Sequence, residues 1–130
     1  TYYYLKGRIV EGMGKNQDVL KTAVKALNDK KARDIRVIDI SKLTTIASYF
    51  VIASGTSVTH IRSLADNVEE KLSDMDVHPL QVEGYNSARW ILLDYNDIVV
   101  HIFHEEDRVY YDLERLWQDG KEVFIDTEEN

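Results

Sequence analysis

The strongest pattern of apolar and polar positions in this chain lies between residues 83 and 117. Within it, residues 90–94 and 98–103 are strand-like apolar runs, and Tyr95-Asn96-Asp97 separates them. Asn96 tolerates the positive φ that a tight turn requires. The pattern therefore predicts a β-hairpin.

Both strands of this hairpin carry apolar side chains on both faces, whereas a sheet with one solvated face alternates apolar and polar residues. A two-residue turn at Tyr95-Asn96 places Trp90 opposite His101. The same register places Leu92 opposite Val99, and strand alternation puts Trp90, Leu92 and Asp94 on one face. Each of the two apolar faces must be shielded from water by another element or another molecule. Helices of this chain can shield one face, and the other requires a further element of the chain, a second copy or a different protein.

The rest of the chain alternates between helical and strand-like spacing. We expect a first helix with Asn16 as its N-cap and a second helix that starts at Ser54-Gly55-Thr56-Ser57. A third helix is expected from about residue 107 to 119, with Gly120 just after its end. The predicted strands are residues 35–40, 49–53 as a central strand, 78–82 as an edge strand because it holds the only proline, 90–94 and 98–103.

These elements occur in the order α-β-β-α-β-β-β-α. The order predicts an α/β domain with a mixed sheet of about five strands and helices packed on it. We place this domain at residues 15–120. Residues 1–14 are expected to be an extension or an expression remnant, with Met13 a candidate natural start, and residues 121–130 a C-terminal tail.

Composition narrows the classes of function. The chain has 130 residues, 44% of them hydrophobic, which suits one domain. No run of about 18 apolar residues occurs, so no transmembrane helix and no membrane partner are expected. The absence of cysteine excludes thiol catalysis and fits the cytoplasm, where we place the protein. A net charge of -7 without a basic stripe disfavours direct nucleic-acid binding and favours a basic protein partner.

The turn Ser54-Gly55-Thr56-Ser57 is one candidate chemical site. A glycine turn between a strand and a helix can present backbone N–H groups to a phosphate, as in nucleotidyltransferases. That chemistry also needs paired carboxylates on a neighbouring strand to hold Mg²⁺. No Asp-x-Asp or Asp-x-Glu lies on a predicted strand, and Thr56 or Ser57 can simply cap the second helix. A small nucleotidyl- or phosphotransferase that uses this turn is the alternative function.

A second candidate is a metal site. Its residues are His101, His104, Glu105 and Glu106. On an extended strand, residues three apart point to opposite faces, so the two histidines converge only if the strand bends. We therefore expect no metal and no cofactor.

The third candidate is a protein-binding surface. Interfaces favour tryptophan and tyrosine, and residues 83–117 hold both tryptophans and half of the eight tyrosines. This is more aromatic surface than one small core absorbs, so we expect part of it to form a contact surface. The candidate anchors are Tyr85, Trp90, Tyr110, Tyr111, Leu113 and Trp117.

Several short motifs occur in a fixed order along the chain. They are Tyr49-Phe50-Val51-Ile52-Ala53-Ser54-Gly55, Glu83-Gly84, Trp90-x-Leu92-x-Asp94, Val100-His101-x-Phe103 and Arg108-x-Tyr110-Tyr111-x-Leu113-Glu114-x-x-Trp117. Their order and spacing resemble the ribosomal silencing factor family, also called the Iojap-like family, from about residue 15 to 119. Ser48 departs from this pattern, because the family commonly carries an acid there.

The resemblance implies a nucleotidyltransferase-like α/β fold that has lost its catalysis, in agreement with the missing carboxylate pair. It implies a translational repressor, not an enzyme. Such a factor binds ribosomal protein L-fourteen of the large subunit and blocks joining of the small subunit in starved cells. The resemblance also implies a homodimer in the free state.

The resemblance also implies which positions contact a partner. The matching positions are Gly84, Tyr85, Trp90, Asp94, Tyr110, Glu114 and Trp117, and the neighbouring anchor Tyr111 joins them. The resemblance leaves open which of these serve the ribosome and which the dimer.

Overall fold

A computed structural model of the chain describes residues 2–5, 8–11, 14–107, 113, 115, 117–125 and 127, with side chains from residue 16 onward. The described residues form eight β-strands and two α-helices. Their bounds are β1 Tyr2–Leu5, β2 Arg8–Glu11, α1 Gly14–Asp29, β3 Arg33–Asp39, β4 Tyr49–Gly55, α2 Val58–Ser73, β5 Gln81–Glu83, β6 Trp90–Asp94, β7 Ile98–His104 and β8 Lys121–Val123.

Six strands form one mixed sheet in the order β5-β6-β7-β4-β3-β8. The central strands β4 and β7 are parallel, and every other neighbouring pair is antiparallel. All seven residues of each central strand are buried, and most of them are apolar, as expected for strands that are covered on both faces. The predicted α/β fold with a mixed sheet is confirmed, and so is the central position of residues 49–53.

The strand count and order differ from the prediction in three places. β8 pairs with β3 and makes a sixth strand where about five were expected. β1 and β2 form a separate antiparallel pair ahead of the first helix. The predicted strand 78–82 does lie at the sheet edge, but it spans Gln81–Glu83. Strands of three or four residues are too short for apolar alternation to identify them.

One face of the sheet, the helix face, packs against α1 and α2. Ile91 and Leu93 of β6 and Val100 and Ile102 of β7 are fully buried there. Both helices contribute apolar residues at helical spacing to the same cluster. Neither described helix is both long and apolar enough to cross a membrane.

The helix starts were predicted with mixed success. Ser57 is the N-cap of α2, and its hydroxyl accepts a hydrogen bond from the His60 amide at 3.0 Å, which confirms the capping role. α1 begins at Gly14, so the assignment of Asn16 as its N-cap is wrong. Small polar residues are common both at the N-cap and in the first turn, so residue type alone did not fix the start.

The opposite face of the sheet, the second face, has its own apolar cluster. The cluster consists of Ile38, Ile40, Ala47, Phe50, Ile52, Val99 and Phe103, with Leu92, Leu113 and Trp117 packed against it. The prediction of two apolar faces is therefore confirmed, and the segment after β7 supplies part of the second cover.

The third predicted helix is only partly described. Leu113 and Arg115 have helical backbone, and the Trp117 N–H donates to the Leu113 carbonyl at 3.1 Å. Residues 105–107 form a 3-10 turn. The predictions for Tyr110, Tyr111 and Glu114 lie outside the described residues.

The β6–β7 hairpin forms with a different register from the one expected. Trp90 lies opposite Phe103, not His101. Leu92 lies opposite His101, not Val99. The shift is two residues, which leaves every side chain on its predicted face.

The turn explains this shift. Asn96 has a φ of 73°, and its N–H donates to Asp94 Oδ1 at 2.8 Å. The Tyr95 N–H donates to the Ile98 carbonyl at 2.9 Å, which keeps Tyr95 in the strand pairing. The turn residues are therefore Asn96 and Asp97, because the first position of a tight hairpin turn favours a positive φ.

Candidate partner-binding surface

The second face is covered over the central strands and open over β5 and β6. On β6, Trp90 is 43% exposed, and Leu92 and Asp94 are half-buried. On β5, Gln81 lies opposite Asp94, Glu83 lies opposite Leu92, and both β5 side chains are exposed. These five residues form one continuous patch, which we name the open half-face.

Trp90 is the largest side chain of the open half-face. Its ring stacks on Phe103 with 5.0 Å between ring centroids. Its indole N–H donates to His101 Nδ1 at 3.1 Å. A large aromatic ring that is held from below and still exposed is typical of the anchor residues of protein interfaces.

His101 is the polar group beneath this ring. It is 4% exposed, and burial lowers its pKa to about 4, so the imidazole is neutral near pH 7. Because Nδ1 accepts the Trp90 N–H, the ring proton lies on Nε2. Nε2 is buried and has no hydrogen-bond partner among the described residues. The imidazole therefore orients Trp90 through a single hydrogen bond.

The charged residues of the open half-face are acidic. Glu83 is exposed at the sheet edge, and Asp94 is half-buried with one carboxylate oxygen bonded to the turn. An exposed indole flanked by carboxylates suits an arginine or lysine of a partner, because the ring face and the carboxylates both attract cations.

A row of aromatic rings joins the open half-face to the covered part of the sheet. His101 contacts Phe50 edge-on with 4.7 Å between centroids, and Phe50 contacts Trp117 in the same way at 5.5 Å. Trp117 is half-buried and covers β4, two strands away from β6. The structure thus brings Trp90, Asp94 and Trp117 to one face of the sheet.

Gly84 and Tyr85 follow β5 and lie elsewhere. Gly84 has a φ of +78°, and a Cβ at this position would lie 2.0 Å from the Trp90 carbonyl oxygen, so only glycine fits. Tyr85 packs against the cluster of the helix face, and its hydroxyl donates to Asp66 of α2 at 3.1 Å. This bond to the carboxylate is the largest cause that raises the pKa of Tyr85. Gly84 therefore adjoins Trp90 through its backbone, whereas the ring of Tyr85 lies against the helices.

The turn Ser54-Gly55-Thr56-Ser57 forms hydrogen bonds with His60 of α2. The Thr56 N–H donates to His60 Nδ1 at 2.9 Å, and His60 Nε2 lies 2.7 Å from the Lys30 carbonyl oxygen. A Cβ at Gly55 would lie 2.8 Å from a side-chain carbon of Ile61. The amide that a phosphate would use is already bonded, so this geometry favours a helix cap over a phosphate cradle.

The histidines of β7 are held separately. His101 bonds to Trp90, whereas His104 Nδ1 accepts the Glu106 N–H at 3.2 Å. Among the described residues, no three His, Asp or Glu side chains gather closely enough to hold a metal ion.

Sequence reasoning missed the residues that support this surface. Arg62 of α2 donates to the carbonyls of Tyr85 and Asn86, a contact across more than twenty residues that has no local pattern. Phe50 and Phe103 underlie the aromatic row. Strand alternation already placed Phe103 on the face of Trp90, so the contact between the Phe103 and Trp90 rings could have been predicted from the sequence.

Comparison with known proteins gives a family match. The family model described as "Ribosomal silencing factor during starvation" matches residues 14–130. The ribosomal silencing factor of Halalkalibacterium halodurans is 36% identical over 111 residues, which cover 85% of this chain and 95% of that protein.

Two further proteins extend the comparison. A crystal structure of a Chromobacterium violaceum protein is similar with a TM-score of 0.75 and 39% identity, covering 83% of this chain and 90% of that one. A mouse protein named "Mitochondrial assembly of ribosomal large subunit protein 1" is 31% identical over 97 residues, which cover 72% of this chain and 42% of that protein.

Proposed function

Because the chain belongs to the ribosomal silencing factor family, we propose that it represses translation by a purely steric mechanism. It binds ribosomal protein L-fourteen on the large subunit and thereby blocks joining of the small subunit. Starved cells are where this repression acts. No bond is made or broken, and the protein works by occupying a surface.

The open half-face is the observation that carries this proposal. It combines an exposed indole with two carboxylates on a chain of net charge -7. Ribosomal proteins lie against RNA and are correspondingly basic, so charge attraction steers encounter and the indole supplies an apolar anchor. The name of the mouse relative, which refers to assembly of the large subunit, supports the choice of subunit.

The same surface suits a second copy of the chain when no ribosome is present. Trp90 and the free edge of β5 are exposed in the single chain. We propose a homodimer that buries part of the open half-face and dissociates on ribosome binding. Analytical ultracentrifugation then shows a dimer for the free chain, with weaker self-association for Trp90→Ala; a strictly monomeric chain contradicts the dimer.

The alternative, a small nucleotidyl- or phosphotransferase, finds less support. The Thr56 amide is bonded to His60, and the sequence lacks paired strand carboxylates beside the turn. Incubation with labelled nucleotides and Mg²⁺ tests this point. Steady transfer or hydrolysis that is lost in Gly55→Trp would establish the enzyme instead.

Co-sedimentation with separated ribosomal subunits tests the main proposal. The chain is expected to pellet with large subunits, to remain in solution with small subunits and to prevent the two from joining. Binding to isolated L-fourteen then tests the named partner. Equal pelleting with both subunits, or with neither, contradicts the proposal, and binding to large subunits without binding to L-fourteen contradicts only the partner.

A further inference from the structure

The loop between β5 and β6, residues 84–89, is fastened to α2. Arg62 donates from Nε to the Tyr85 carbonyl at 3.0 Å and from Nη2 to the Asn86 carbonyl. The guanidinium carbon also lies 5.7 Å from the centroid of the Tyr85 ring. The Tyr85 hydroxyl in turn donates to Asp66, one helical turn along α2. Two residues of one helix therefore hold two successive residues of the loop.

The loop is also closed on itself and joined to the sheet. The Ala88 N–H donates to the Gly84 carbonyl at 2.9 Å, and both residues have positive φ. The Arg89 carbonyl accepts the His104 N–H at 2.9 Å, and the Arg89 side chain pairs with Asp107. Both ends of the loop are therefore fixed by hydrogen bonds within the free chain.

The tip of the loop is exposed. Asn86 and Ser87 are exposed, whereas Tyr85 is half-buried and Ala88 is fully buried. The loop leads directly into Trp90. Exposed polar side chains on a loop held by several hydrogen bonds, beside an aromatic anchor, are the arrangement that a preorganised binding loop requires.

We propose that residues 84–89 form a preorganised contact loop for the partner of Trp90, and that Arg62, Asp66 and Tyr85 are positioning residues that hold it. The exposed Asn86 side chain makes the contact with the large-subunit protein through hydrogen bonds, and Ser87, whose hydroxyl donates to the Gly84 carbonyl at 3.3 Å, accepts a hydrogen bond from the same partner. Tyr85 acts from the helix side and does not itself touch the partner. The inference rests on the proposed function and gives one of its expected contact residues a different role.

Preorganisation has a measurable consequence. A loop that is ordered before binding does not lose conformational freedom on binding, whereas each side chain that must first be ordered weakens binding. Loosening the loop at one point should therefore weaken binding roughly two- to twelvefold. The fold itself should remain, because the substituted groups lie outside the buried core.

A double-mutant cycle on Tyr85 and Asp66 separates positioning from contact. Affinity for purified large ribosomal subunits is measured for Tyr85→Phe, Asp66→Ala and the double variant. If the hydroxyl acts through Asp66, the double variant binds no more weakly than either single variant. Additive losses mean that the hydroxyl touches the partner, and unchanged affinity in both single variants means that the loop needs no positioning. Either result overturns the inference.

A second series on Arg62 includes a conservative rescue. Arg62→Ala removes both bonds to the loop carbonyls, whereas Arg62→Lys keeps the charge and a single donor nitrogen and should recover part of the affinity. Glu70→Gln, at an exposed position on the same helix, is the matched control and should bind like the natural chain. A change in melting temperature without a change in affinity would mean that Arg62 stabilises the fold and does not position the loop for binding.

Hydrogen exchange of the Ala88 amide provides a readout that does not depend on the ribosome. Its exchange should accelerate in Arg62→Ala and Asp66→Ala and remain unchanged in Glu70→Gln. Unchanged exchange overturns the positioning role even if the chain silences ribosomes. Conversely, if the natural chain and Trp90→Ala both fail to bind subunits, the proposed function fails first, and the contact loop fails with it.

Discussion

At the scale of single residues, the Trp90 ring packs on Phe103 and His101 and is exposed on its other side. We expect Trp90→Ala to weaken binding to the large subunit by about 2–4 kcal/mol, or about 30- to 1000-fold. Stability should fall by only roughly 1–2 kcal/mol, because the ring is 43% exposed and loses less buried area than a core residue. A thermal melt and a subunit-joining assay on the same variant measure the two effects.

Phe124→Ala is the matched aromatic control for Trp90. Phe124 is 56% exposed and follows β8 at the opposite edge of the sheet. Its removal should leave subunit binding unchanged. Equal losses in both variants would mean that the effect is not specific to Trp90. A large drop in the melting temperature of Trp90→Ala, with inhibition of joining retained at low temperature where the chain is still folded, would assign Trp90 to stability and not to binding.

His101 makes stability depend on pH. Burial lowers its folded pKa to about 4, below the ordinary value of 6.5 that holds in the unfolded chain. The unfolded state therefore binds more protons between these values, so stability falls as pH drops through this window. The expected loss is about 3 kcal/mol, most of it between pH 6.5 and 4, and it levels off once the pH lies below the folded pKa.

His101→Phe isolates this contribution from that of the carboxylates. The variant keeps an aromatic ring in the row and has no group that titrates in this range. Denaturant unfolding at several pH values should show the natural chain losing stability relative to the variant as the pH falls from 6.5 to 4. A constant difference between the two chains would contradict the buried neutral imidazole.

At the scale of elements, the closeness of β5 and β6 depends on Gly84. Gly84→Ala combines a left-handed backbone, which costs roughly 1–2 kcal/mol for a residue with a Cβ, with a contact of 2.0 Å to the Trp90 carbonyl oxygen. The edge of the sheet must shift to relieve this contact. Denaturant unfolding should show a loss of stability larger than the backbone term alone.

Asn96→Ala is the control for the backbone term. Asn96 has a similar φ of 73°, but it is exposed at the tip of the β6–β7 turn. Asn96→Ala should be about 1 kcal/mol less stable than Asn96→Gly, which gives the cost of a Cβ on this backbone, and Gly84→Ala should cost distinctly more. Equal costs would mean that the strand edge adapts freely to a side chain at residue 84.

At the scale of the whole molecule, we expect the net charge to influence the rate at which the chain meets the proposed partner. The net charge of -7 should attract a basic partner, and salt should slow association by screening. Glu83→Lys changes a charge on the open half-face, and Glu70→Lys makes the same change on α2 against the other face. Stopped-flow association with large subunits should slow more for Glu83→Lys; equal slowing would attribute steering to net charge alone.

The sequence by itself determined the longer strands, the second helix and the faces on which their side chains lie. The continuous apolar run at residues 49–53 predicted β4 as a central strand, because strands covered on both faces are mostly apolar. Period-two alternation put Trp90, Leu92 and Asp94 on one face, and this assignment survived a two-residue error in register. The ordered motifs also predicted the family that the comparisons show.

Only the tertiary structure decided which residues of the second face stay open. Phe50 and Trp90 are both large aromatic residues on that face, yet Phe50 is 8% exposed and Trp90 is 43% exposed. The difference arises because the segment with Leu113 and Trp117 packs over the cluster that contains Phe50. Likewise, Tyr85 and Trp90 are five positions apart but lie against different layers, because Arg62 and Asp66 hold Tyr85 to α2. The exposed fraction of a side chain depends on which distant element packs above it. Local periodicity predicts the face on which a side chain lies, but it does not predict which distant element covers that face.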